Sequence, residues 1–358
     1  MPWTLQLAFV DSLVVKALAV EAVSLIAALA VFFIHGVWLW WTEKQAAPRL
    51  GLARAKIIQA LGASRLESGE IQPFRGLSSN LQIQLIRDIA PNLNGEHLKW
   101  LATAAEKSGQ AGSARSACRS KRWRKRLEGA RLLSILGGDE DVLITLLNDS
   151  HPMVRTQAAE WASDYPTPKV AISLIALLED PEGLRPFAIR DSLLRLGNDV
   201  VEPLAEYIAS HSGRPVEEAL EVAAGIGDHQ FMEPALVLSE DDSPRVRASV
   251  AKLMGALGGN QGVETLGALL NDPEPSVRAA AARATGHLGH WPSSPALTVL
   301  LRDPTWEVRR AAGLALGALG APGNLLLRRS LNDPDPDAAD MARLVLDRPI
   351  PVAGAAIP

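Results

Sequence analysis

The sequence predicts an all-α protein in which one transmembrane helix precedes a solenoid of stacked helix pairs. Three observations lead to this fold class: an uncharged apolar stretch near the N-terminus, a thirty-one-residue repeat in the last third of the chain, and no sustained period-two alternation. No sheet is therefore expected. The predicted parts are an extracytoplasmic segment at 1–21, the transmembrane helix at 22–41, a juxtamembrane linker at 42–75, the repeat array at 76–347 and a flexible tail at 348–358.

The stretch at residues 22–41 carries no formal charge and is long enough for a helix to cross the core of a bilayer. Its C-terminal end has the aromatic and cationic residues typical of a membrane interface, namely Trp38, Trp40, Trp41 and Lys44. A cleaved signal peptide and a buried apolar helix are the alternatives. More Lys and Arg follow the stretch than precede it, which predicts a single-pass inner-membrane protein with its N-terminus outside and its repeats in the cytoplasm.

The charge of the chain is unevenly distributed. Residues 1–131 hold 18 Lys and Arg against 9 Asp and Glu, whereas residues 132–358 hold 18 against 31. The two parts therefore carry net charges of +9 and −13. We expect the acidic part to suit a protein partner with a basic surface, and its charge disfavours nucleic acid because it would repel phosphate.

The repeat is clearest over residues 246–320, where each of three copies spaces four apolar residues as one stripe of a helix. A glycine follows each stripe, at the place where a helix can end with a left-handed cap. The copies are Val246, Val250, Leu253, Leu257 and Gly258; Val277, Ala281, Ala284, Leu288 and Gly289; and Val308, Ala312, Ala315, Leu319 and Gly320. A helical unit repeated at this period predicts a solenoid, which offers an extended surface to partners.

The turn before each stripe has a pattern of its own, Leu-Leu-x-Asp-Pro-x-x-x-Val-Arg-x-x-Ala-Ala. The best copies read LLNDPEPSVRAAAARATGHLG and LLRDPTWEVRRAAGLALGALG, and a weaker copy, LLNDSHPMVRTQAAEWA, begins at Leu146. These units resemble the HEAT-repeat family, including the shorter HEAT-like units of bacterial proteins. The resemblance covers residues 115–345 well and residues 76–114 by helical pattern alone, and it implies a HEAT-like α-solenoid.

In that family the Asp and Arg of the pattern bond between neighbouring turns as a ladder. The turn chemistry fits such a role, because an Asp before Pro ends a helix, its carboxylate can accept from free amides of the next helix, and Arg offers a planar fork. We therefore interpret these residues as structural and not as catalytic. They are Asp149 with Arg155, Asp241 with Arg247, Asp272 with Arg278, and Asp303 with Arg309.

A basic run lies at the start of the first clear repeat. Three interpretations are open: a solvated face, attraction to anionic lipid, at about 1 kcal/mol for each Lys or Arg, and contact with nucleic acid. Trp123, in the middle of the run, matches core positions of the next repeat and is expected in the core. The basic residues are Arg115, Arg119, Lys121, Arg122, Arg124, Lys125 and Arg126.

Nothing in the sequence indicates catalysis. The motifs of nucleotide-binding proteins, zinc proteases and serine hydrolases are absent. His287 and His290 have a spacing that could share a metal, but no third ligand adjoins them in sequence. Cys118 lies among cations that could lower the pKa of its thiol, without a histidine partner. No enzymatic activity, cofactor, metal site or small-molecule substrate is therefore expected.

These observations predict a membrane-anchored HEAT-repeat scaffold that binds a protein partner at the cytoplasmic face of the membrane. The resemblance also leaves an alternative, because its family includes lyase-type and chaperone-like subunits that act on a bound cofactor or protein substrate. Fold does not decide between these functions.

Overall fold

The computed structural model describes residues 21, 23–37, 47–59, 74–93, 95–179 and 186–347. Helices and short 3-10 turns are the regular elements of these ranges, and no strand occurs within them. The prediction of an all-α fold is confirmed for this part of the chain. The predicted interface residues Trp38, Trp40, Trp41 and Lys44 and the tail at 348–358 lie outside it.

The apolar stretch near the N-terminus is helical at residues 23–37, and its side chains are exposed. Among the described residues no helix is both long and apolar enough to span a membrane. The prediction of a single-pass inner-membrane protein with cytoplasmic repeats is therefore wrong.

The helical part divides into two compact units. The first contains Met1–Ser116 with Ile135–Gly137, and the second contains Ala117–Ser134 with Gly138–Pro358. Besides the helix at 23–37, the helices described in the first unit are α1 (47–59), α2 (Ser79–Ile89), α3 (Gly95–Lys107) and α4 (Gln110–Cys118), whose last residues enter the second unit.

A small polar network supports the packing of the first unit. Gln110 is buried; its side-chain amide donates to the Gln82 side chain at 2.8 Å and its Oε1 accepts from Ser79 at 3.1 Å. Gln82 in turn donates to the backbone carbonyl of Phe74 at 3.1 Å. Each of these polar groups therefore has a hydrogen-bond partner, as buried groups require.

The second unit consists of two alternating layers of helices. The first layer contains α5 (Trp123–Leu136), α7 (Pro152–Ala162), α9 (Pro186–Leu196), α11 (Arg214–Ile226), α13 (Pro244–Leu257), α15 (Pro275–Leu288), α17 (Trp306–Ala318) and α19 (Pro336–Leu346). The second layer contains α6 (Glu140–Leu147), α8 (Pro168–Ile175), α10 (Val201–Ser210), α12 (Met232–Val237), α14 (Gly259–Leu269), α16 (Ser294–Val299) and α18 (Ala321–Ser330). Within the first layer each helix from α11 to α19 packs on the next, as expected for stacked repeats.

The predicted apolar stripes lie in the core of this unit. The first residues of the three stripes, Val246, Val277 and Val308, are fully buried. Five helices of the first layer begin at a proline, which is well suited to the first turn because its missing N–H would have no partner there. The burial of the three valines shows that the stripe is the side of each helix that faces the core.

The glycines that follow the stripes do not all form the expected left-handed cap. Gly289 has φ 66° and ψ 21°, the left-handed helical conformation. Gly258 and Gly320 also have positive φ, but their ψ values are −146° and −138°. The next helix begins directly after each of these two residues, so the backbone needs an extended mirror-image conformation that only glycine adopts readily.

Other glycines let the helices of the first layer approach closely. A Cβ added to Gly255 would lie 2.8 Å from the Cβ of Ala284, and one added to Gly286 would lie 2.6 Å from the Cα of Ala315. Both distances are below any normal carbon contact. The stacking of α13 on α15, and of α15 on α17, therefore depends on residues without a side chain.

Candidate functional site

The loop before α13 shows how neighbouring repeats are joined. Arg247 donates from Nη1 to the backbone carbonyl of Asp241, in its own repeat, at 2.7 Å. Its Nε and Nη2 donate to the two carboxylate oxygens of Asp272, in the next repeat, at 2.7 and 2.9 Å. One guanidinium therefore bridges two successive loops in a bidentate geometry.

The same arrangement occurs in other repeats. Arg278 donates to the carbonyl of Asp272 at 2.8 Å and to the carboxylate of Asp303 at 2.8 and 3.1 Å. Arg155 donates to the carbonyl of Asp149 at 2.8 Å, and Arg309 does so to Asp303. The aspartates also accept at Oδ1 from the amide two residues later, which fixes the loop before the helix: the pairs are Asp149 with His151, Asp241 with Ser243, Asp272 with Glu274, and Asp303 with Thr305, at 2.8–2.9 Å.

These ion pairs are shielded from water, and this affects the titration of their carboxylates. In the pairs Arg247–Asp272 and Arg278–Asp303, each arginine side chain is 13% exposed and each aspartate side chain is at most 6% exposed. Desolvation would raise the pKa of Asp272 and of Asp303, but hydrogen bonds from the arginines and the loop amides outweigh it and lower both pKa values. Both carboxylates are therefore ionised at neutral pH and serve as fixed acceptors.

Arg126 differs from the other residues of the basic run. Its guanidinium donates to both carboxylate oxygens of Asp149 at 2.5 and 2.6 Å and to the carbonyl of Ser120 at 3.0 Å. It therefore has the bridging geometry of Arg247, with Ser120 in place of an aspartate. Because its side chain is only 14% exposed, Arg126 does not fit an anionic-lipid patch, and that assignment is corrected.

The rest of the basic run divides between the two units. In the first unit Arg115 forms an ion pair with Glu106. In the second unit five residues are exposed and available to solvent or to a partner: Arg119, Lys121, Arg122, Arg124 and Lys125.

Trp123 is half-buried and not fully in the core. Its indole stacks on the ring of His151 in the next loop, with centroids 3.8 Å apart and planes 8° from parallel. The guanidinium of Arg124 lies 5.4 Å from the centroid of the indole. Trp123 is the first residue of α5, the position at which α7, α13 and α15 have a proline, so this first repeat uses an aromatic ring to join two loops.

The titratable residues considered for chemistry in the sequence do not form a reactive site. Burial raises the pKa of the Cys118 thiol to about 11, and the neighbouring Arg119 only partly opposes this effect. The cations therefore do not activate the thiol. His290 contacts the Ser293 hydroxyl at 2.9 Å, and no group of three or more metal-binding side chains lies within the described ranges.

A groove with a volume of about 680 Å³ is open to solvent along α11, α13 and α15. This volume lies within the range of roughly 300–1,000 Å³ that is typical of binding sites. Small side chains form much of its lining, including Ala224, Ala248, Ala256, Ala280 and Ala284. The groove therefore has a shallow apolar floor that a partner's side chains can contact.

Charged residues surround this floor. Glu217 and Glu221 line the groove from α11, and Arg245 and Lys252 line it from α13. Glu221 contacts Lys252 in an ion pair and lies 3.7 Å from Arg190 of α9. On the α11 side, Glu221 is thus neutralised by its neighbours, whereas Glu217 forms no ion pair within the described ranges.

The two arginines of the groove have no such neutralisation. Arg245 and Arg283 are exposed, and within the described ranges neither forms an ion pair or a side-chain hydrogen bond. His287 lies one helical turn after Arg283 on α15 and also lines the groove. The α13 and α15 sides are therefore cationic, with donors available to a partner.

Apart from Ala284 and His287, the groove residues lie outside the pattern of buried positions that defines the repeat. Lys252 and Arg283 occupy the same exposed position, six residues after the first valine of two successive stripes. A comparison of exposed positions between the repeats would have shown this recurrence of cations. The third copy has Leu314 at that position.

Comparison with known proteins supports the repeat architecture. Residues 263–347 match the family of HEAT repeats. Together with the two-layered packing, this match supports a HEAT-repeat protein with an α-solenoid fold. No curated protein shows significant sequence similarity to the chain.

Solved structures of low sequence identity share the helical architecture. A mutant of Kap121p is 12% identical with a TM-score of 0.53, over 82% of this chain and 37% of Kap121p. Kap95p, in a structure concerned with its binding to RanGDP, is 15% identical with a TM-score of 0.49, over 75% of this chain and 47% of Kap95p. Human deoxyhypusine hydroxylase is 18% identical with a TM-score of 0.30, over 75% of this chain and 97% of the enzyme. At 12% identity the likeness to the Kap121p mutant concerns the fold alone, and the chain spans less than half of either Kap protein.

Proposed function

We propose that this protein is a non-catalytic scaffold whose helical array binds a protein partner in the groove along α11, α13 and α15. The observation that carries the proposal is the groove itself. Its floor includes Gly255 and Ala284, which also serve the stacking of repeats, but its charged sides are not needed for that stacking. The buried stripes and the bridging arginines provide the rest of it. An open surface of this kind is what HEAT-like solenoids offer to partners.

The charge of the groove changes the expected nature of the partner. The net charge of −13 on residues 132–358 predicts a partner with a basic surface, but the net charge of an array does not determine the charge of one face. Several of the acidic residues belong to the loops between repeats, as Asp241, Asp272 and Asp303 do. We therefore expect the groove, and not the average charge, to select the partner.

Blocking the groove tests this function. Ala256 is exposed and lines the groove, so Ala256→Trp would fill part of it without changing the core. Ala268, exposed on α14 in the second layer, gives the matched variant Ala268→Trp. The tagged full chain is used to capture proteins from its native cell extract under crosslinking.

The expected result is a defined partner that wild type and Ala268→Trp retain and that Ala256→Trp loses. Circular dichroism of the three proteins should coincide, so that the loss reports on the groove and not on folding. Capture of the same partner by all three proteins, or of none by any of them, would contradict the proposed function of the groove.

A further inference from the structure

The groove along α11, α13 and α15 has an uneven distribution of charge that specifies its partner more closely. On its α11 side, the carboxylate of Glu221 is compensated by Lys252 and Arg190, whereas Glu217 forms no ion pair within the described ranges. On the opposite side, Arg245 and Arg283 have no compensating carboxylate within these ranges. One uncompensated carboxylate therefore faces two uncompensated guanidinium groups, and the groove is on balance cationic.

We propose that the groove binds an acidic peptide segment of a partner protein, with its carboxylates on Arg245 and Arg283. This inference rests on the proposed function, because it identifies the segment that the partner presents. Arginine is well suited to the role, since its planar fork binds a carboxylate through two parallel hydrogen bonds.

The floor of the groove favours a peptide over a small anion. Alanines line it along three successive helices, so the contact extends across repeats and is not closed around one small molecule. Small or aliphatic side chains of an extended segment can contact these alanines while its carboxylates reach the arginines. His287, at the end of α15, adds a third donor to this side of the groove.

Nucleic acid fits these observations less well. Glu217 and Glu221 lie in the same groove as the arginines, and residues 132–358 carry a net charge of −13. A phosphate backbone carries a charge at every nucleotide and would meet this repulsion along its whole length. A peptide, in contrast, can carry carboxylates only at the positions that lie near Arg245 and Arg283, and so avoids the repulsion from the acidic side chains.

The test uses a short fluorescein-labelled peptide of alternating Glu and Ala, with the corresponding Gln and Ala peptide as a control. Fluorescence anisotropy with the full chain measures both affinities at low and at moderate salt. We expect the Glu peptide to bind more tightly, and its affinity to decrease as salt screens the charges.

The decisive variant is Arg245→Gln with Arg283→Gln. Both side chains are exposed and form no ion pair with the described part of the chain, so these replacements leave the array intact. The affinity for the Glu peptide should fall about tenfold. Arg328 and Arg329 provide the matched control, because they are exposed on α18 in the second layer. The variant Arg328→Gln with Arg329→Gln should bind the Glu peptide as wild type does.

Three results would overturn the inference. These are equal binding of the Glu and Gln peptides, equal loss of affinity in both arginine variants, and displacement of the Glu peptide by an oligonucleotide at a lower concentration than by unlabelled Glu peptide. The proposed function is judged separately by the tryptophan variants. If Ala256→Trp loses a partner that Arg245→Gln with Arg283→Gln keeps, the groove binds a partner but not through acidic residues.

Discussion

At the scale of single residues, the bridging arginines are the main polar feature of the second unit. Each donates to a carbonyl of its own repeat and to a carboxylate of the next, so its loss would leave a shielded carboxylate without its counter-ion. Removing one partner of a shielded ion pair lowers the free energy of unfolding far more than removing one partner of an exposed pair. This difference gives a direct prediction.

Arg278→Gln should destabilise the protein by about 2–4 kcal/mol, because Asp303 would remain buried without an arginine. Arg302 provides the matched control: it also bonds both oxygens of an aspartate, Asp333, but its side chain is 54% exposed. Arg302→Gln should cost clearly less than Arg278→Gln, because solvent screens the exposed guanidinium. Urea unfolding measures both values, and equal costs would show that burial of the pair is not what matters.

The lowered pKa values of Asp272 and Asp303 predict an acid-sensitive stability. A carboxyl whose pKa is lower in the folded state stabilises the fold above its unfolded pKa of about 3.8 and loses this contribution as the pH falls towards the folded pKa. The free energy of unfolding should therefore decrease below about pH 4.5.

The variant Asp303→Asn should show a shallower decrease than wild type over the same acidic range, because one of the titrating groups is gone. Urea unfolding at a series of pH values between neutral and acidic measures both slopes. An identical pH dependence of the two proteins would mean that Asp303 titrates normally.

At the scale of helices, close stacking depends on glycines at defined positions. Gly286 has no room for a Cβ against Ala315 of the next helix, whereas Gly267 of α14 has nothing within 4 Å of an added Cβ. The same replacement should therefore have opposite effects at the two positions.

Gly286→Ala should destabilise the array by about 1–3 kcal/mol, because α15 and α17 would have to move apart. Gly267→Ala should stabilise it by about 1 kcal/mol through the better helix propensity of alanine. Thermal unfolding by circular dichroism compares the two variants. A gain in stability from both would show that the helices separate without cost.

The sequence predicts the helices and the buried stripes well because both follow from a short-range period. The spacing within a unit relates only Asp272 to Arg278, and the shielded pair of Asp272 with Arg247 follows from the ladder between neighbouring turns that the resemblance implies. Arg126 was missed because Ser120 interrupts the Asp pattern of its repeat. The groove was missed for a related reason, since it is formed by exposed positions from three repeats.

At the scale of the whole molecule, each repeat of the array contacts mainly the repeats beside it, so a destabilising substitution affects those repeats most. Leu253 is fully buried in α13, so Leu253→Asp would place a charge in the core and cost about 4 kcal/mol or more. The protection of backbone amides against hydrogen exchange should fall most in α11 to α17 and least in α5 to α7. Leu325→Asp, at an exposed leucine of α18, should leave protection unchanged. Uniform loss over all these helices after Leu253→Asp would indicate a single cooperative core.

The central claim is that the array holds a protein partner in the groove of its first helix layer. Site-specific photocrosslinking tests it most directly, with a photoreactive amino acid placed at Ala256 in the groove or at Ala268 in the second layer of the full chain. The account predicts one defined crosslinked polypeptide from position 256 and none from position 268. A crosslink from position 268 alone, or from neither position, would contradict it.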